Sequence, residues 1–295
     1  MTKPRYRAFS FGRIAALTAN TFTELSRLKI FYVILLFALL LIGSSLFMAR
    51  LTFQQEFQVL KDIALGSMSI FISLLAIVTT ARLIPQDMED RTVYTILAKP
   101  VPRIEYLLGK LAGVVLLLAV SLAIMSVLFF LVLKMREQTV LSDTLRQMKD
   151  SPPDQIADAL STVRASAFNV NLLSGIALIY LKGCLLAALT LFVSTFATTT
   201  IFTTVVMVFV YLIGHLQSIA RTFWLQTNSA GWITKLFLAC VALLFPDLQL
   251  FNLVDDIVAG SPIPLALFNK TATLGLFYTG FYLLLAWTVF YRKEL

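Results

Sequence analysis

Six long runs of apolar residues, separated by polar stretches, set the plan of this chain. They cover 31–48, 63–84, 106–133, 172–193, 196–214 and 272–290. Each is long enough to cross about 30 Å of hydrocarbon at roughly 1.5 Å per helical residue. The third run exceeds that need, so it is expected to tilt or to project beyond the bilayer. Almost no loop separates the fourth and fifth runs. The Ser/Thr-rich stretch 194–200 provides the hinge, its hydroxyls suited to bonding carbonyls one turn back. The expected fold is an all-α polytopic membrane protein, a single transmembrane domain over 1–295.

Polar segments add further elements. Residues 1–30 place Phe11, Ile14, Leu17 or Thr18, Phe22, Leu25 and Leu28 at helical spacing, the pattern of a helix lying in the membrane interface. A helix packed on the protein's own loops is the alternative. Residues 134–170 divide at Ser151-Pro152-Pro153-Asp154 into two amphipathic stripes, which predicts an external helical hairpin serving as lid, spacer or substrate contact. In 216–270, the apolar run 233–245 is too short to span and is expected to be re-entrant or interfacial.

The most polar interruption is 82–110, with five basic and four acidic residues. So many charges are excluded from hydrocarbon. Pro85 ends one helix or starts another, and Gln86, Asp87, Glu89 and Asp90 suit a first helical turn. Residues 92–98 predict one or two amphipathic turns, halted by Pro100 and Pro102. A short helix held across a membrane surface, within 85–105, is the expectation.

Composition agrees with this plan: 59% of the residues are hydrophobic, and the mean hydropathy is +0.86. The net charge of +8 has a membrane explanation. With the N-terminus inside, the inner segments hold 13 basic against 6 acidic residues and the outer ones 10 of each, with Lys182 inside a span. This is the positive-inside pattern, so both termini are expected in the cytoplasm of a multi-pass protein of the cell (inner) membrane. Nucleic acid is not needed to account for the charge. The N-terminal region lacks the pattern of a cleaved leader, so the first span is expected to remain in the mature protein.

Chemistry-bearing patterns are few. Gly109-Lys110 lacks the glycine five residues ahead that a phosphate-binding loop requires, and the chain's one histidine, His215, offers no zinc pattern. Neither a metal nor a bound cofactor is expected. His215 is expected at a span end as a satisfied interfacial side chain. Asp255-Asp256 are adjacent and so point about 100° apart on a helix, which does not suit an aspartyl catalytic pair. Cys184 and Cys240 are expected to be buried thiols. No catalytic set is expected. Lys182 stands near the middle of its span, where it either lines a polar path for an anionic or zwitterionic substrate or reaches out to external headgroups.

The order Glu89, Arg91-Thr92, Leu97, Lys99-Pro100, Arg103 and Gly109-Lys110 resembles the cytoplasmic coupling segment of type 2 ABC transporter permeases, in particular the branch that includes permeases associated with copper-enzyme maturation. Arg91 stands where many members have Gly. The PDLQLFNLVDD stretch near 246–256 is similar to that branch as well. The resemblance implies an exporter permease pairing with a second permease copy, identical or related, and docking on a separate ABC ATPase subunit that uses ATP and Mg. It further implies that Asp87, Glu89, Arg91, Thr92, Leu97, Pro100 and Arg103 contact that ATPase. A channel or secondary transporter without an ATPase is the alternative, and the scarcity of ionisable groups within the spans weakens it.

Overall fold

The computed structural model describes residues 9–51, 56–90, 102–149, 152–169, 171–226, 246–252, 257 and 264–292, apart from the side chains of 49–51 and 218–226. Among these residues the secondary structure is helical throughout. The helices are α1 (Phe11–Ser26), α2 (Lys29–Leu51), α3 (Glu56–Ala81), α4 (Leu83–Glu89), α5 (Arg103–Gln147), α6 (Pro153–Ala167), α7 (Asn171–Phe196), α8 (Thr200–Gln226) and α9 (Leu265–Arg292). A 3₁₀ turn at Leu248–Phe251 precedes α9. Six of these elements are long and apolar enough to cross a membrane, in agreement with the six apolar runs.

α3, α5 and α7 form the centre of the bundle. α7 packs on α9 and α3, while α1 lies along α5. Buried Met68, Ile72, Leu117, Leu118, Leu185 and Leu186 fill the interior. The outward faces of α2 and α8 remain apolar and exposed, as at Leu36, Phe37, Leu40, Val205, Phe209 and Leu212, which suits hydrocarbon contact.

Local chemistry explains most boundaries. Pro85 has no N–H for the Ala81 carbonyl, so α3 ends at Ala81 and α4 begins after Arg82, with Gln86 N–H donating to the Arg82 carbonyl at 3.0 Å. At the hinge, Ser194 and Thr195 hydroxyls donate to the Leu191 and Phe192 carbonyls at 2.8 and 2.7 Å, as expected. Thr199 Oγ1 then accepts the Phe202 N–H at 3.3 Å at the start of α8.

One expectation needs correction. The first arm of the 134–170 hairpin is not a separate helix: 134–147 continues α5 without a break, because no Gly or Pro interrupts it. The second arm is α6, opened by Pro152 and Pro153, with Asp154 in its first turn. The helix of the fifth span does not stop at Gly214: α8 runs on to Gln226, and its membrane-crossing stretch is Thr200–Gln217. An added Cβ at Gly214 would lie 2.8 Å from Leu248 Cγ and 3.1 Å from the Pro246 carbonyl oxygen, so this glycine admits another segment at close range. His215 therefore lies inside α8, two residues before the end of the membrane-crossing stretch Thr200–Gln217, close to the span end expected for it. The helix expected over 92–98, the run 233–245 and the pair Asp255-Asp256 lie outside the described residues.

Candidate functional site

The end of the bundle that carries α1 and the C-terminus of α9 is organised by the first turns of α5. Residues spaced three and four apart share a helix face. Arg103, Tyr106 and Lys110 thus face α4 and α9, whereas Glu105, Gly109 and Gly113 face α1.

On the first face, Arg103 Nη1 donates to the Phe290 and Tyr291 carbonyls, each at 2.7 Å. Its guanidinium also lies over the Phe290 ring, 5.8 Å from the centroid. These carbonyls belong to the last turn of α9, where orphan acceptors and the helix dipole favour a cation. Tyr106 stacks on the Phe290 ring at 5.8 Å and donates its hydroxyl to Asp87. Lys110 Nζ lies 2.8 Å from Asp87 Oδ2 and 3.6 Å from Glu24 Oε2. Asp87, Tyr106 and Lys110 are all buried.

On the second face, Glu105 is fully buried and accepts from Arg13 Nε at 2.6 Å, Arg13 Nη2 at 2.8 Å and the Ser10 N–H at 2.9 Å. The hydrogen bond to Glu105 holds the Arg13 guanidinium above its ordinary pKa. Gly109 and Gly113 bring α1 close: an added Cβ would stand 2.5 Å from Leu17 Cβ and 2.6 Å from Thr21 Cβ, respectively.

Of the residues proposed to meet an ATPase, the structure places three. Glu89 is exposed at the end of α4. Asp87 is turned inward onto Lys110 and Tyr106, and Arg103 is bound to the α9 carbonyls. Arg91, Thr92, Leu97 and Pro100 lie outside the described residues. The turns on either side of this segment are therefore anchored in the bundle. Sequence reading missed Glu24, Glu105 and Tyr106 as members of the network. The i, i+3, i+7 spacing of Arg103, Tyr106 and Lys110 was the signal that could have found the face.

Lys182 is buried among three helices and does not reach a helix end. Its Nζ donates to Ser69 Oγ at 3.1 Å, meets His215 Nε2 at 3.2 Å and lies 5.5 Å from the Tyr211 ring centroid. His215 Nδ1 lies 3.0 Å from the Tyr211 carbonyl, an acceptor only, so Nδ1 carries hydrogen and Nε2 receives the lysine. The buried ammonium is thereby hydrogen-bonded within the bundle. Ser69, Tyr211 and His215 come from α3 and α8 and were not linked to Lys182 by spacing.

The opposite end carries its own ties. Arg136 Nε donates to Glu56 Oε2 at 3.0 Å, and Lys61 Nζ donates to the Ser166 carbonyl at 2.7 Å, joining α3 to α5 and α6. Among the described residues, no group of three His, Cys, Asp or Glu side chains converges as a metal site.

A comparison with curated proteins returned no match. A family model described as ABC-2 family transporter protein matches residues 16–295, a stretch that takes in every spanning helix and the anchored turns of α4 and α5. The chain therefore belongs to the ABC-2 family of transporter proteins, the membrane subunits of ABC transporters.

Proposed function

We propose that this permease is half of an exporter, driven by a separate ABC ATPase subunit that docks on the segment between α4 and α5. One observation supports the reading most directly. The two ends of that segment are tied to different parts of the bundle, through Asp87 to Lys110 and Tyr106, and through Arg103 to the last turn of α9. A push on 90–102 is delivered to α3, α5 and α9 together. Glu89, with Arg91, Thr92, Leu97 and Pro100, supplies the contact, while Asp87 and Arg103 transmit it inward. The ATPase, not this chain, binds ATP and Mg.

The charge asymmetry orients the α1 end toward the cytoplasm, in the cell membrane. The exposed Phe11 on α1 suits a helix held at the interface. Two permease copies, identical or related, form the assembly and the substrate passes between them, with Lys182 supplying a cation on its path. The motif at 89–110 favours the branch that resembles copper-enzyme-maturation permeases.

Affinity purification of the tagged protein in mild detergent tests the reading. An ATPase subunit should co-purify stoichiometrically, and Glu89→Lys should reduce its recovery while leaving membrane insertion intact. A preparation free of ATPase in several detergents would refute the coupling and favour a channel or secondary transporter.

A further inference from the structure

At the end of the bundle opposite α1, α2 and α5 border an open groove of about 340 Å³ that the coupling network does not use. Its volume falls at the lower end of the range for small-molecule sites, about 300–1,000 Å³. Leu46 and Met135 make its apolar part, and Arg136, Gln138, Thr139 and Ser142 make its polar part. No carboxylate is among these lining residues.

Arg136 supplies the cation. One edge of its guanidinium is taken by Glu56, with Nε donating to Oε2 at 3.0 Å and Nη2 donating to the same oxygen. Arg136 keeps 9% of its side-chain surface open. Nη1 makes no hydrogen bond among the described residues and is not enclosed, so it lies on that open surface and awaits an acceptor from outside the chain. Glu56 offsets the charge, which leaves selection to directed hydrogen bonds. The Thr139 and Ser142 hydroxyls donate to the Met135 and Thr139 carbonyls at 3.0 and 2.8 Å, so their oxygens remain as acceptors, while the exposed Gln138 amide can donate and accept. This set suits a phosphate with hydroxyl groups beside it. An ammonium finds no carboxylate there.

The same face of α5 carries Leu116, Val120, Ile124, Val127, Leu131 and Met135 at steps of three and four, every one of them exposed. The stripe turns polar at Gln138, within one turn of Met135. A lipid makes the same change between its chain and its headgroup. From Ile124 to Met135 the helix rises about 16 Å at roughly 1.5 Å per residue, close to half of a hydrocarbon core of about 30 Å.

We infer that this groove holds a phosphoglycerol lipid from the leaflet at that end, its phosphate on the open Nη1 of Arg136, its glycerol hydroxyls on Gln138, Thr139 and Ser142, and a chain along Met135 and Leu131 toward Ile124. The site needs only that the chain spans a membrane. It is independent of ATPase docking, and its test uses binding alone.

The full chain, purified in detergent, would be titrated with phosphatidylglycerol and phosphatidylcholine of matched chains and read by native mass spectrometry. One phosphatidylglycerol per chain should be retained, about tenfold more tightly than phosphatidylcholine, which shares the phosphate but lacks the hydroxyls. Arg136→Lys keeps a cation for Glu56 without the guanidinium fork, and it should weaken phosphatidylglycerol about tenfold. Gln138→Leu should narrow the difference between the two lipids. Equal retention of the two lipids, or an undiminished affinity in folded Arg136→Lys, would overturn the inference. Should Arg136→Lys not fold, Ser142→Trp at an exposed position fills the groove and must abolish the retained lipid; binding that persists there overturns the inference equally. Soluble glycerophosphate separates the sources: it should not compete, and displacement of the lipid by it would show that the phosphoester suffices without a chain and refute the lipid.

Discussion

The docking of α1 on α5 rests on two glycines, and adding one methyl group tests it. In Gly113→Ala the new Cβ would lie 2.6 Å from Thr21 Cβ, 2.8 Å from Thr21 Cγ2 and 3.1 Å from the Thr18 carbonyl oxygen. Comfortable carbon–carbon contacts are about 3.5–4.0 Å, so α1 must retreat by roughly 1 Å. Part of the obstruction is backbone and cannot rotate away. Overpacking of this kind costs about 1–3 kcal/mol, while removing a glycine from a helix interior returns about 0.5–1 kcal/mol. The net expectation is a loss of roughly 0–2.5 kcal/mol. Gly280→Ala in α9 is the control, because nothing lies within 4 Å of its added Cβ. That variant should be neutral or slightly stabilised. Thermal unfolding in one detergent, with hydrogen exchange over Phe11–Ser26, reads both effects. Gly113→Ala should melt lower and lose protection in α1. If the two alanine variants melt alike and α1 keeps its protection, the close approach does not hold this helix.

Lys110→Met leaves the buried Asp87 carboxylate without its 2.8 Å partner and should cost about 3–5 kcal/mol. Adding Asp87→Asn should recover much of that loss in a melting-temperature cycle, and additive losses would refute the pairing. Lys182→Met keeps the side chain's length and removes a buried charge from the bundle. Its melting temperature should hold or rise while transport falls, whereas unchanged transport would remove Lys182 from the path.

The spanning helices were readable because each must be continuously apolar, a constraint that acts residue by residue along the chain. The boundaries near Pro85 and the 194–200 hinge were readable for the same local reason. What was not readable depends on neighbours distant in sequence. Arg13 and Glu105 are 92 positions apart, and Lys182 and Ser69 are 113 apart. No periodicity encodes such pairs. A glycine such as Gly214 marks either a helix end or a close approach, and only the position of Leu248 decides between them. The polar residues of 134–147 likewise suggested a new element, although helix continuity depends on backbone compatibility and not on polarity. In the candidate site, sequence order indicated the segment 89–110. It did not show that Asp87 and Arg103 turn inward.

The continuity of α5 has a mechanical consequence. Its 45 residues make a rod about 67 Å long at roughly 1.5 Å per residue. A tilt of about 5° around its centre would sweep each tip through about 3 Å, since each half of the rod is about 34 Å long. The turn holding Arg103, Glu105 and Lys110 and the turn holding Arg136 are thus two places on one lever. Whatever displaces the first displaces the second in the opposite direction at the same moment, with no relay of side chains required between them.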